Sequence, residues 1–409
     1  MKFLLIFSFF IFNANATEFV VKTSDKSRYT NVIREFELLG ERYIVVSGAA
    51  PKAFGGDVVD ENFEITTFHH GKADALMDKG VSDYSALQWG IENRGNNEPI
   101  NLNRRSPVNG VVGADANVRG AWTKVEGDKD IVVAVVDTGV EISHSDLVGN
   151  IWVNEAEMNG VVGVDDDGNG YIDDVNGYDF VAKSSKIIDQ MGHGTHVAGI
   201  IGARHNNLGV NGVMKNVSLM SVRFLDKKGR GDLEGSLKAM AYAIENGAHV
   251  INCSWGSGRF SQLMLDLIEK ARTRGAVVVA AAGNLRGRNN DTDPTYPANY
   301  DLDNVISISA HNAQNYHTAF STFGPQTVHI AAPGENIVST FIGNDFKVWS
   351  GTSMAAPYVS GAIGLWMSLH GASMTNARSL LIDSVTLVDH IAGKNVSGGR
   401  LNTLKLLKF

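Results

Sequence analysis

The sequence predicts an α/β fold in which helices flank a doubly wound, mainly parallel sheet, with a small α+β unit ahead of it. Two observations support this prediction. From residue 131 onward, short apolar runs alternate with amphipathic helical segments. Strands that are buried on both faces and separated by helices are typical of parallel sheets. Residues 17–80 lack this regular alternation.

The predicted strands of the large sheet are short apolar runs rich in valine, isoleucine and alanine; they cover residues 131–136, 219–224, 249–253, 276–282 and 305–309. Residues 233–245 have apolar positions at helical spacing, with Asp232 as N-cap and Gly247 just past the end. Residues 262–274 repeat this pattern and stop at Gly275. In such sheets the functional loops lie at the carboxyl ends of the strands.

The small unit is predicted from shorter signals. Residues 18–21, 42–46 and 63–68 are predicted strands, and residues 29–39, closed by Gly40, are a predicted helix. The segment from residue 69 to about 85 loses apolar periodicity and mixes Gly, Lys, Asp and Ser. That composition is typical of an exposed linker, so we expect the unit to be separable from the rest.

The charge balance and the cysteine count narrow the function. The 409 residues carry a formal net charge of −8 and no long basic run, so nucleic acid is not an expected partner. A single cysteine, Cys253, excludes an intrachain disulfide. Because it lies in an apolar strand, we interpret it as a buried small hydrophobe and not as a nucleophile.

The N-terminal residues match the pattern of an export signal. Lys2 precedes an apolar run over residues 3–12, and Ala14, Asn15 and Ala16 fit the small-residue cleavage pattern. A membrane anchor needs roughly 20 apolar residues, about twice what this run offers. No later stretch of the sequence is long and apolar enough to span a bilayer. The sequence therefore predicts export by a cleavable signal peptide over residues 1–16.

Three separated segments hold candidate catalytic residues. Asp137 follows the first predicted strand in AVVDTGV, His193 stands between glycines in GHGTHVAGI, and Ser353 opens a predicted helix in SGTSMAAPYVSGAIGLW. The positive end of a helix dipole favours an anion that develops at such a serine. Taken singly, Asp137 could be a helix cap or surface residue, Ser353 an N-cap, and His193 with His196 a zinc pair.

Together the segments AVVDTGV, GHGTHVAG and GTSMAAP resemble the signatures of the subtilisin family, the subtilases, in that family's order of Asp, His and Ser. The resemblance runs from about residue 88 to the C-terminus. It implies a subtilisin-like fold and a secreted serine endopeptidase, in which Ser353 is the nucleophile, His193 the general base and Asp137 its partner. Asn284, in AAAGN, is implied as the side-chain donor of the oxyanion hole.

The same resemblance implies protein or peptide substrates bound as an added strand. The segments that would flank the substrate are Ser254, Trp255 and Gly256 on one side and Gly229, Arg230 and Gly231 on the other. Alternatively, Trp255 is ordinary core and residues 229–231 form an ordinary turn. Thr295 is expected to narrow the first pocket toward medium-sized apolar residues. A narrow basic preference would use Asp232 and Glu234, which are equally good helix-start residues.

Two calcium sites are expected, both structural. In VDDDGNGYIDDVNG, the alternating oxygen ligands are Asp165, Asp167 and Asn169, completed by Asp173 or Asp174. Asn176 at position twelve departs from an EF-hand, and a plain turn has the same composition. The resemblance implies a second site from Gln88, Asp146 and the loop HNNLGVNGV, with Asn206 or Asn207 by side chain and Leu208 and Val210 by carbonyl. That loop is one residue shorter than the common form.

The resemblance also implies the organisation of a precursor, or zymogen: signal peptide 1–16, propeptide 17–80 and peptidase domain 81–409. The propeptide is expected to assist folding and to inhibit the enzyme until it is cleaved between about residues 71 and 85. We expect a monomer without an organic cofactor. The rival hypotheses are a binding module built on an inactive protease fold, a zinc peptidase, and a processing protease of narrow preference.

Overall fold

The computed structural model describes residues 16–75, 83–95 and 109–409. The predicted signal peptide therefore lies outside the described residues, except for Ala16. The chain forms two compact units, one ending at Phe63 and one beginning at Glu64.

The N-terminal unit is an antiparallel sheet with strand order β2-β3-β1-β4. Its strands are β1 (Glu18–Lys22), β2 (Val32–Leu38), β3 (Glu41–Ser47) and β4 (Val58–Glu61). A small core forms where Val21, Tyr29, Ile44 and Val46 pack together. The strands predicted at residues 18–21 and 42–46 are confirmed as β1 and β3.

The helix predicted over residues 29–39 is wrong, because this stretch contains β2. Exposed and less exposed side chains alternate along Val32–Leu38, which is the period of a strand. Leu39 and Gly40 both have positive φ, 51° and 74°, and Leu38 pairs with Glu41. This geometry is a two-residue hairpin turn, so Gly40 turns a hairpin and does not end a helix.

The larger unit is built on a nine-stranded sheet with order β18-β19-β15-β14-β13-β11-β7-β9-β8. The strands of the larger unit, including those outside this sheet, are in chain order β5 (Glu64–Thr67), β6 (His70–Ala75), β7 (Gly127–Asp137), β8 (Gly177–Asp179), β9 (Asn216–Arg223), β10 (Arg230–Asp232), β11 (Val250–Cys253), β12 (Trp255–Gly256), β13 (Val277–Ala281), β14 (Val305–His311), β15 (Ile330–Pro333), β16 (Ile337–Phe341), β17 (Asp345–Ser350), β18 (Thr386–Leu387) and β19 (Gly399–Arg400). All neighbours in the large sheet are parallel except β18 and β19.

Helices flank this sheet. They are α1 (Val118–Ala121), α2 (Glu155–Asn159), α3 (His193–Gly202), α4 (Leu233–Glu245), α5 (Gln262–Thr273), α6 (Thr352–His370), α7 (Ala377–Asp383) and α8 (Thr403–Leu406). The doubly wound fold and its predicted strands are confirmed by β7, β9, β11, β13 and β14, and the two predicted helices by α4 and α5. Within the described part of the chain, none of the helices has the length and apolar character needed to cross a membrane.

Helix α3 packs closely on β16 because it presents glycine there. A β-carbon built on Gly199 would lie 2.2 Å from Thr340 Oγ1 and 2.4 Å from Ser339 Oγ. The same two hydroxyls donate hydrogen bonds to the carbonyl oxygens of Thr195 and His196, each at 2.7 Å. The position of the first turn of α3, which begins at His193, thus depends on this contact.

We expect Gly199→Ala to destabilise the protein by about 1–3 kcal/mol, since the added methyl group must push β16 away. Chemical denaturation of the Ser353→Ala chain, which lacks the predicted nucleophile, measures the free energy of unfolding. Gly235→Ala in α4 is the matched control, because its nearest neighbour would lie 3.2 Å away, at Asp232 Oδ1. Equal losses for the two variants would contradict the packing argument.

Candidate active site

Asp137 and His193 meet at the carboxyl edge of the large sheet. Asp137 is the last residue of β7 and His193 is the first residue of α3, and both are fully buried. His193 Nδ1 lies 2.8 Å from Asp137 Oδ1 and 3.0 Å from Oδ2. The other ring nitrogen, Nε2, is buried and has no hydrogen-bond partner among the described residues. The carboxylate therefore orients the imidazole with Nε2 facing the cleft.

Asp189 holds the two elements that carry this pair, and the sequence analysis did not identify it. Its carboxylate accepts hydrogen bonds from the hydroxyls of Thr138, at 3.0 Å, and Thr195, at 2.7 Å. Thr138 directly follows Asp137, and Thr195 lies two residues after His193. Burial raises the pKa of Asp189, and the hydrogen bonds from Gly192 and Thr195 oppose that rise. The sequence feature that could have indicated Asp189 is an acidic residue four positions before His193, in DQMGH.

Ser353 lies in the first turn of α6 and is fully buried. Its Oγ donates a hydrogen bond to the carbonyl oxygen of Ser254 at 2.8 Å, not to His193 Nε2. The carbonyl of Ser353 in turn accepts from Ser254 Oγ at 2.9 Å. The side chain of Asn252 donates to the same Ser254 hydroxyl at 2.9 Å. This buried network fixes the end of β11 against the start of α6.

One donor contacts the carbonyl oxygen of Phe68, and a second lies nearby. The backbone N–H of Ser353 donates to it at 3.1 Å. A β-carbon on Gly351 would lie 2.6 Å from this oxygen and 3.0 Å from Asn284 Nδ2, so both atoms border the same point. A side chain at Gly351 would fill the space between them, which is why a glycine is needed there.

Thr352 determines which end of the Asn284 amide faces this space. Asn284 Oδ1 accepts hydrogen bonds from the backbone N–H and the hydroxyl of Thr352, both at 3.0 Å. The amide nitrogen is therefore the end left for the cleft, and it is buried without a partner in the described structure. An unpaired buried donor is costly unless a ligand uses it.

The predicted substrate-flanking segments lie on either side of β5. This strand sits between β10 and β12 in an antiparallel sheet, with Thr66 paired to both Arg230 and Gly256. The backbone N–H of Thr67 donates to Gly229, and that of Phe68 to Ser254, both at 3.1 Å. Residues 64–68 of the chain itself thus occupy the position that the sequence analysis assigned to a substrate.

The next peptide bond, between Phe68 and His69, lies beside Ser353 and His193. The Phe68 ring lies over Gly256, where a β-carbon would be 2.7 Å from Phe68 Cε2. The His69 ring lies 5.8 Å from the His193 ring and 4.8 Å from that of Trp349. Burial lowers the pKa of His69 to about 4, so this ring is neutral at neutral pH.

The linker predicted over residues 69 to about 85 was expected to be exposed and irregular; residues 70–72 are exposed, but the expected lack of regular structure is wrong over the first part. Residues 76–82 of this prediction lie outside the described residues. Residues His70–Ala75 form β6, which pairs with β17. Apolar periodicity did not indicate this strand because its pairing uses the main chain.

Several side chains have the structural role that the sequence analysis gave as an alternative to a functional one. Trp255 is buried core: its Nε1 donates to the carbonyl of Val136 at 2.7 Å. Asp232 accepts from Gly235 N at 2.8 Å as the cap of α4, and Glu234 pairs with Lys238 at 2.7 Å. Both acids are thus engaged at the helix start. Cys253 is fully buried, and burial raises its thiol pKa.

His196 does not form a metal pair with His193. Its Nε2 lies 3.1 Å from the carbonyl oxygen of Lys347, and burial lowers its pKa to about 3. Within the described ranges, the group of acids and histidines close enough to share a metal ion lies elsewhere and contains neither histidine. The geometry thus gives no support to a zinc site here.

That group consists of Glu157, Asp165 and Asp167, whose ligand oxygens lie within 4.8 Å of one another. Asn169 and Asp174 line the same loop, with Asn169 Nδ2 donating to Asp174 Oδ2 at 3.1 Å. Three carboxylates this close together suit a hard divalent cation. Glu157 was missed because it lies on α2, outside the loop motif.

Part of the second predicted set, namely Gln88, Asp146 and Val210, is also brought together. The side chain of Gln88 exchanges hydrogen bonds with the backbone of Asn211, at 2.7 and 2.8 Å. Asp146 accepts from Asn206 Nδ2 at 2.9 Å and from Val210 N at 2.8 Å. These polar groups are paired with one another, so this set offers no independent support for an ion.

Comparison with known proteins agrees with this geometry. The model of the subtilase family of peptidases matches residues 128–399. The chain is 38% identical over 247 residues to Subtilisin-like protease 2 of Plasmodium falciparum (isolate 3D7), covering 59% of this chain and 17% of that protein. It is 33% identical over 284 residues to Minor extracellular protease Epr of Bacillus subtilis (strain 168), covering 69% of this chain and 37% of that protein.

The chain thus spans only a fraction of those two relatives. It is also 35% identical over 292 residues to Thermitase of Thermoactinomyces vulgaris, covering 71% of this chain and 92% of that protein. The family match includes the segments that carry Asp137, His193 and Ser353. On this agreement of fold, site and sequence, the chain belongs to the subtilase family.

Proposed function

We propose that the chain is the precursor of a secreted serine endopeptidase that first cleaves its own Phe68–His69 bond. One observation carries the proposal. The Phe68 carbonyl accepts a hydrogen bond from Ser353 N, while main-chain pairs on both sides hold residues 64–68 as a strand. This is the arrangement that peptide hydrolysis by a serine nucleophile requires.

In the acylation step, Ser353 Oγ attacks the carbonyl carbon of Phe68 while His193 Nε2 takes the hydroxyl proton. This requires the hydroxyl to turn from the Ser254 carbonyl toward His193. Asp137 stabilises the imidazolium at Nδ1. The oxyanion takes hydrogen bonds from Ser353 N and Asn284 Nδ2.

Collapse of the tetrahedral intermediate breaks the peptide bond. His193 gives its proton to the departing amine of His69, and Phe68 stays as an ester on Ser353. A water molecule then attacks the ester with His193 as its base. This releases the carboxylate of Phe68 and restores the Ser353 hydroxyl.

Cleavage there would place the end of the propeptide at residue 68, earlier than the predicted boundary at residue 80. Residues 64–68 would then remain between β10 and β12 as an inhibitor, since main-chain pairing holds them independently of the broken bond. The Phe68 ring over Gly256 favours a large apolar residue before the cut, larger than the medium-sized residue expected from Thr295.

Export is supported by the sequence pattern of residues 1–16 and by the similarity to one relative named as an extracellular protease, Epr of Bacillus subtilis. We expect the enzyme to act on proteins and peptides as a monomer, with no nucleic-acid partner and no membrane span.

We further propose that Ca²⁺ binds Glu157, Asp165 and Asp167, with Asn169 and Asp174 supporting the loop. The ion would stabilise the fold and take no part in catalysis. Gln88, Asp146, Asn207, Leu208 and Val210 stay a prediction for a second calcium site. Both sites can be tested by substitution.

The first test compares the wild-type precursor with Ser353→Ala. We expect the wild type to shorten to a first product whose N-terminus is His69, and the variant to stay uncut, because only the wild type has the nucleophile. A mass-spectrometric time course identifies the first bond that is cut. A first product that begins between residues 72 and 86 would restore the original prediction and contradict the proposed bond.

The second test concerns the oxyanion donors. Asn284→Ala should lower kcat about 10²- to 10³-fold, the loss typical of a subtilisin that lacks this donor. Thr352→Val removes one of the two hydrogen bonds that orient Asn284, so we expect a smaller loss of about 2- to 10-fold. Steady-state kinetics on a peptide with Phe before the bond that is cut measures both, with KM nearly unchanged. Wild-type turnover by Asn284→Ala would exclude the assigned role.

The third test measures thermal unfolding of the Ser353→Ala chain with Ca²⁺ and with a chelator. Bound calcium stabilises only the folded state, by about 2.7 kcal/mol at 100 times Kd, so Ca²⁺ should raise Tm. Asp167→Asn should reduce this rise, whereas the exposed Asp389→Asn serves as control. Asp146→Asn reports on the second set. An unchanged calcium effect in Asp167→Asn would remove the ion from this loop.

A further inference from the structure

We propose that the edge of β17 opposite β16, which β6 occupies in the precursor, binds the residues that follow the scissile bond of a substrate, and that the enzyme prefers glycine three residues after the cut. The bound segment is added as an antiparallel strand and reaches the seventh residue after the bond. This inference rests on the proposed cleavage after Phe68. It extends substrate recognition well beyond the segment held between β10 and β12.

The chain's own β6 shows how such a segment lies. It pairs antiparallel with β17, with His70 opposite Ser350, Asp74 opposite Val348, and Ala75 opposite Lys347. The other edge of β17 is paired with β16 from Asp345 to Trp349. The edge that β6 uses is thus available to any extended chain that takes its place, because main-chain hydrogen bonds tolerate many sequences.

The pairing contains a bulge with a specific backbone requirement. From His70 to Asp74 the bound segment advances four residues, while β17 moves only two, from Ser350 to Val348. Gly71, within this bulge, has a φ of 72°. A β-carbon built on Gly71 would meet nothing within 4 Å. Glycine is therefore favoured here by its backbone conformation and not by lack of space.

Trp349 holds the bulge in place. Its indole Nε1 donates a hydrogen bond to the carbonyl oxygen of Gly71 at 3.2 Å. The same indole contacts the His69 ring, one residue after the cut. On the following residue, the His70 ring stacks on Phe320 with centroids 4.7 Å apart. The side of the cleft after the bond thus has side-chain contacts as well as main-chain pairs.

The test uses peptides that share the sequence of residues 64–68 before the cut and differ after it. One ends after two further residues, and the others continue through the sequence of residues 69–75 with Gly, L-Ala or D-Ala at the third position. D-Ala adds the same methyl group as L-Ala but favours positive φ. L-Ala should lower kcat/KM about 5- to 30-fold relative to Gly. D-Ala should stay close to Gly, and the short peptide should be cut more slowly.

On the enzyme side, Trp349→Phe keeps an aromatic ring but removes the donor to Gly71. We expect the ratio of kcat/KM between the long Gly peptide and the short peptide to fall about 2- to 10-fold. Using the ratio cancels any effect of the variant on the triad itself.

In the precursor, Gly71→Ala should slow self-cleavage, whereas Gly56→Ala should not. Gly56 also has positive φ, 84°, and open space around its α-carbon, but it lies outside β6.

The outcomes separate the two hypotheses. Equal kcat/KM for the Gly, L-Ala and D-Ala peptides, without any effect of length, would overturn the strand site and leave cleavage after Phe intact. Ser353→Ala is the control and should cut none of the peptides. If the wild type also cut none of them, the proposed function would fail, and this inference would fail with it.

Discussion

The buried hydrogen bond between Asp137 and His193 is the constraint on which the rest of the site depends. A carboxylate and an imidazole that are both removed from water need fixed partners, because an unpaired buried charge is costly. The end of β7 supplies one group and the start of α3 the other. Asp189 joins these two elements through Thr138 and Thr195. The close packing of α3 on β16 at Gly199 then sets the position of the helix.

Main-chain pairing gives this site its means of holding a peptide. Before the Phe68–His69 bond, β5 lies between β10 and β12, and after it β6 lies along β17. Both are antiparallel additions to a sheet edge, so the chain crosses the triad in extended form. Side chains contribute at particular points, such as Phe68 over Gly256 and Trp349 at Gly71. Binding by the backbone fits an enzyme that cuts many sequences and still positions one carbonyl accurately.

The acidic loop ties distant parts of the larger unit together without covalent links. The single cysteine of the chain excludes an intrachain disulfide. Instead, Glu157 on α2 accepts hydrogen bonds from the backbone of Asp166 and Asp173. The hydroxyl of Tyr242 on α4 donates to Asp174. A cation bound by the three carboxylates would neutralise their mutual repulsion and so strengthen this connection.

The sequence alone was sufficient for the doubly wound sheet, since apolar runs and capped helices are local signals that agree with the tertiary structure. It also predicted site roles for Asp137, His193, Ser353 and Asn284, because each lies in a short motif, and the structure brings the first two into hydrogen-bond contact. It failed at β2, where hairpin pairing with β3 and not helical periodicity decides the conformation. Asp189 and Glu157 were not identified, since their roles depend on residues of other segments: Thr138 for Asp189, and Asp165 and Asp167 for Glu157.

Only the tertiary structure decided which bond lies at the triad. The segment after residue 69 carries no apolar period, and the backbone hydrogen bonds that hold it depend on strands more than 250 residues away along the chain. Local sequence encodes which residues can do chemistry. Which peptide bond they face depends on long-range pairing of main-chain groups, and these are the same in nearly every residue.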